Sequence, residues 1–140
     1  MYVSQSQRQK SERDFLISMM KHSKVKTLKG FQNHVENQKK KIQRGIKKLE
    51  KMPEAEFKRR VSQDVFGVAM KGFYTSQAKD NIRTLDDASG TMENLLYLRC
   101  SPKYRKTSEY REKEVFKGRV KEGLNLLDQF TPKHCRKSTQ

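Results

Sequence analysis

Tryptophan is absent from these 140 residues, and there are only three prolines and two cysteines. Hydrophobic residues make up 33% of the chain, well short of the roughly 45–50% of an ordinary globular domain even with seven glycines added. The core must be thin and economically patterned. No apolar run approaches the ~18 residues that a membrane span requires. The opening "MYVSQSQRQKSERD" has no apolar stretch of the secretory kind, which predicts an intracellular protein or a mature, processed one. Cys100 and Cys135 read either as two free or partly buried thiols or as one disulfide closing the C-terminal segment in an oxidising compartment. The pair leaves both readings open.

Catalytic constellations are equally scarce. His22, His34 and His134 are the only histidines, and none lies in an HExxH pattern. His134–Cys135 sits in a tail expected to fray, a poor frame for a nucleophile and its base. Glycine-rich phosphate loops are missing. Carboxylates are outnumbered by lysine and arginine, 16 to 32, which favours their ionised form over acid–base work. The expectation is a protein without enzymatic activity, cofactor or metal.

What the chain has in abundance is positive charge. The net charge is +16, against the magnitude of about 2–8 that solubility asks of a small domain. Residues 1–52 carry 14 basic and 4 acidic side chains, residues 53–90 carry 6 of each, and residues 91–140 carry 12 and 6. Self-repulsion of this size destabilises a fold, which predicts a partner of opposite sign. The densest run, "NQKKKIQRGIKKLEKMPEAEFKRR", offers Lys39, Lys40, Lys41, Arg44, Lys47, Lys48, Lys51, Arg59 and Arg60 as a partner-binding basic surface. Each lysine or arginine near an anionic bilayer contributes about 1 kcal/mol, so five or six would hold the chain there. Nucleic acid is disfavoured, because neither a recognition helix nor an RNP pattern is present. In "FLISMM", Phe15, Leu16 and Met19 point away from the apolar face of their helix and are candidate lipid contacts.

The periodicity is helical throughout and predicts an all-α fold: one domain over 1–140, four to five helices, two of them long and antiparallel, with 1–10 and 133–140 as frayed ends. Ser11 reads as an N-cap. Ile17, Leu28, Phe31, Val35 and Ile42 share one face, with Gly30 as a bend or break and Gly45 as a stop before a turn to Met52. A continuous helix through Met52 is the alternative, since Leu28, Val35, Ile42 and Leu49 keep heptad spacing. Pro53 opens the second long helix, in which "VFGVAMKGFY" is apolar around more than half its circumference and reads as central. "LDDASGT" reads as a linker. A short helix over 91–99 follows, ended by Pro102. A last helix is capped by Thr107 or Ser108, carries Val115, Phe116, Val120, Leu124, Leu127 and Phe130, and stops at Pro132.

Two stretches resemble a known family. "KVKTLKGF" at 24–31 is similar to the first-helix segment of the abalone sperm acrosomal proteins, sperm lysin and its fusogenic paralogue. "GIKKLEKMPEAEF" sits where that family turns into its second long helix. The resemblance covers roughly 15–81, and "EYREKEVFKGRVKEGLNLLDQF" fits a later family helix in pattern. It implies a five-helix, non-enzymatic, secreted protein of the sperm acrosomal vesicle in its mature form; the oligomeric state, monomer or weak dimer, stays open. Lysin is rich in aromatics and carries tryptophan, so the absence of tryptophan here favours the paralogue. The resemblance then implies gamete membrane fusion, with an anionic membrane as partner. Lysin-like stoichiometric dissolution of the egg vitelline envelope, through an egg-coat glycoprotein, is the first alternative. A basic helical cytokine is the second.

Overall fold

The computed structural model describes residues 4–60 and 71–136, with the side chains of residues 58, 60, 71 and 73 excepted. Every regular element among them is helical. The order is α1 (Gln5–His22), α2 (Leu28–Lys51), α3 (Glu54–Arg60), α4 (Lys71–Cys100), α5 (Arg105–Val115) and α6 (Val120–Phe130), with 3-10 turns at Pro102–Tyr104 and Lys133–Cys135. The all-α expectation holds, and α2 and α4 are the two long helices. No helix among the described residues is long and apolar enough to cross a membrane.

The chain forms two compact units. Met1–His34 and Asp87–Gln140 make one, and Val35–Asp86 the other. In the first, α1 packs on α6. Leu16, Ile17, Met19 and Met20 of α1 are buried, as are Phe31, Met92, Leu95, Leu96, Leu127 and Phe130. Phe31 meets Phe130 edge-on at 5.9 Å between ring centres, a favoured aromatic geometry. Ion pairs add to the α1–α6 contact: Lys21 with Glu122, and Arg119 with Asp14 at 3.1 Å. In the second unit Val35, Phe57 and Leu85 are buried, and Phe57 meets Tyr74 edge-on.

Helix boundaries depart from the sequence reading in instructive ways. Ser4 caps α1, not Ser11. Its hydroxyl accepts from the Gln7 N–H at 3.2 Å, and the Gln7 side chain accepts from the Ser4 N–H at 3.1 Å, a reciprocal capping box. Helix therefore begins inside the stretch expected to fray. The break falls at residues 23–27 rather than at Gly30. There the Lys26 ammonium donates to the Met20 carbonyl at 2.6 Å and closes the end of α1, a cation at the negative end of a helix dipole. Thr27 accepts from the Gly30 N–H at 2.9 Å and opens α2.

No turn follows Gly45; α2 continues to Lys51, as the heptad alternative has it. "LDDASGT" is not a linker but the interior of α4. Leu85, Ala88, Met92 and Leu95 are buried at helical spacing, and their burial outweighs the roughly 1 kcal/mol that Gly90 costs a helix. The expected last helix is two. Gly118, at φ 92°, turns the chain between α5 and α6, and Phe116 lies so close over Gly123 that a Cβ there would sit 2.2 Å from its ring. Ser108 is a buried residue inside α5 rather than its cap. The expected central helix "VFGVAMKGFY" falls mostly on 61–70, outside the described residues.

Candidate functional site, a cationic ridge on α2

α2 is strongly amphipathic. At about 100° per residue, Leu28, Phe31, Val35, Ile42, Ile46 and Leu49 gather on one side. Lys40, Lys41, Arg44, Lys47, Lys48 and Lys51 gather on the other, within an arc of roughly 120°. The burial pattern follows this division: all six cations are exposed, while Val35 is buried and Ile42, Ile46 and Leu49 are half-buried. From Lys40 to Lys51 the ridge runs about 16 Å. None of the six forms an ion pair among the described residues. Spacing along one face keeps several of them within the ~8 Å over which physiological salt screens charge, so their fields add.

Lys39, expected on the same surface, does not belong to it. It lies toward the apolar side of α2, 17% exposed, and pairs with Asp86 at 2.8 Å and Glu36 at 3.3 Å. Its pKa is raised, chiefly by the hydrogen bond from its ammonium to Asp86. Arg59 is exposed on α3, and the Arg60 side chain lies outside the described residues.

Two of the three apolar candidates are corrected. Leu16 and Met19 are 3% and 8% exposed, and Phe15 is half-buried. α1 is apolar on two adjoining faces, and Leu16, Ile17, Met19 and Met20 of "FLISMM" are core. Polar groups then mark where α1 meets the start of α6. Asp14 has its pKa lowered first by the Arg119 guanidinium and then by Arg13. Glu122 has its own lowered first by Lys21 and then by Arg119.

Cys100 and Cys135 are joined in a disulfide. Their sulfurs lie close to a His134 nitrogen, but sulfurs bonded to each other are not thiolate ligands or nucleophiles. The bond also holds the Lys133–Cys135 turn in place, and so brings Lys133 and Arg136 to a groove that also borders Lys26 and Tyr97. Sequence reasoning missed this grouping. The cysteine pair was its one signal, and it pointed to a bridge only as one of two readings.

No protein-family model, curated protein or solved structure matches the chain.

Proposed function

We propose that the protein is a non-enzymatic, secreted sperm protein of the abalone acrosomal class that promotes gamete membrane fusion by adsorbing to anionic membrane. The observation that carries this reading is the ridge: six exposed cations on one face of α2 that form no ion pair among the described residues. A disulfide between Cys100 and Cys135 accords with an oxidising, extracytoplasmic setting. With Leu16 and Met19 in the core, attraction at the ridge is electrostatic. It lowers the repulsion between two negative surfaces and draws them together.

The test mixes the protein with anionic vesicles carrying separate lipid dyes. At low salt, binding and dye exchange are expected, and both should fade as salt rises. A Lys40→Gln/Arg44→Gln/Lys48→Gln variant should bind roughly 100-fold more weakly, at about 1 kcal/mol per cation. Full binding by that variant, or no dye exchange by the parent protein, would count against the proposal.

The burial of Leu16 and Met19 favours a second reading, stoichiometric binding to the egg envelope without lipid insertion. Under it, isolated envelopes dissolve in proportion to added protein while vesicles stay separate.

A further inference from the structure

The groove beside the disulfide is a second, chemically different site. It encloses about 590 Å³, inside the roughly 300–1,000 Å³ of small-ligand sites. Leu96 and Phe130, both almost fully buried, supply apolar walls, and Leu28 and Pro132 extend them. Tyr97, 64% exposed, stands at its edge with the Tyr104 ring 6.4 Å away. An exposed aromatic beside an open apolar groove is surface that water solvates poorly.

Its charge is one-sided. Lys26, Lys133 and Arg136 border the groove, and among the described residues Glu93 is the one carboxylate that does. Lys26 is fixed in place, 5.4 Å above the Phe130 ring and hydrogen-bonded to the end of α1. Arg136 is oriented by donating to the Thr131 carbonyl at 3.1 Å. The disulfide holds the turn that carries Lys133.

A linear polyanion would satisfy the cations but leave the apolar walls wet. A neutral apolar ligand would fill the walls and leave the cations unmatched. A molecule with one hydrocarbon chain and one anionic end meets both demands. We infer that this groove binds a single-chain anionic phospholipid, its chain along Leu96 and Phe130 and its phosphate at Lys133 and Arg136. The site shares no residue with the α2 ridge and stands independently of it.

The test is calorimetric titration of the oxidised, full-length protein with monomeric oleoyl lysophosphatidic acid below its micellar concentration. Saturable one-to-one binding is expected. Oleoyl lysophosphatidylcholine should bind roughly tenfold more weakly, for want of a net charge to meet charge-assisted donors. Shortening the chain should weaken binding by up to about fourfold per methylene. Lys133→Glu/Arg136→Glu should lose at least the same factor of ten while keeping its circular dichroism, and Lys133→Arg/Arg136→Lys should retain affinity. The Lys40→Gln/Arg44→Gln/Lys48→Gln protein should bind the lysolipid as the parent does, so failure here and failure of membrane adsorption are separable. Equal affinity for both headgroups, indifference to chain length, or no saturable binding would overturn the assignment.

Discussion

Arg99 shows how much one side chain can organise. It is 6% exposed at the end of α4, and its guanidinium donates to Glu112 of α5, to Asp128 of α6 and, at 2.9 Å, to the Thr131 hydroxyl. Thr131 in turn donates to the Leu127 carbonyl at 2.8 Å. A charge this deep is tolerated because its donors are answered. Glu112, 3% exposed, has Arg99 as its ion-pair partner among the described residues. Glu112→Gln should cost about 3 kcal/mol in urea unfolding, the low end for a broken buried pair, because Asp128 and Thr131 remain. A change within 0.5 kcal/mol would mean that the pair adds no more than a surface contact. Nothing in the sequence marks Arg99 among the chain's many cations. Its partners come from positions 13, 29 and 32 residues downstream, and a one-dimensional charge count does not see them.

At the scale of elements, periodicity was the legible signal and punctuation the misleading one. The stripe Leu28–Val35–Ile42–Leu49 located α2 correctly, whereas Gly45 read as its end. Gly45 is a helix-interior residue with open space where a Cβ would stand. Gly45→Ala should therefore stabilise the protein by about 1 kcal/mol in chemical denaturation. A loss of stability would place a turn there after all. The same misreading produced the linker at "LDDASGT", where aspartate, serine and glycine signalled a loop while Leu85, Ala88, Met92 and Leu95 carried a helix. In "FLISMM" the error ran the other way. A second apolar face was correctly seen on α1, but the burial of Leu16 and Met19 comes from tertiary packing that helical spacing alone does not show.

For the molecule as a whole, the thin core makes its one covalent cross-link important. The disulfide spans a sequence separation of 35, and closing a loop of that length stabilises by about 3–4 kcal/mol in the chain-entropy account. Cys100→Ser/Cys135→Ser should accordingly lower stability by about 3 kcal/mol in thermal or urea melts, with helicity of the folded state retained. An unchanged midpoint would show that the bond adds nothing to stability. Net charge was legible from composition, and the ridge from helical spacing. The groove was not, because Lys26, Tyr97 and Arg136 meet only through this cross-link and the packing around Phe130.

The ridge has a mechanical corollary. Lys40 and Arg44, Arg44 and Lys48, and Lys47 and Lys51 are like charges one turn apart, and each such pair strains the coil by about 0.2–0.5 kcal/mol. The far half of α2 is thus a spring wound against its own electrostatics. Any counter-surface that quenches those charges also relaxes that tension, so contact and stiffening of the helix are two faces of the same event.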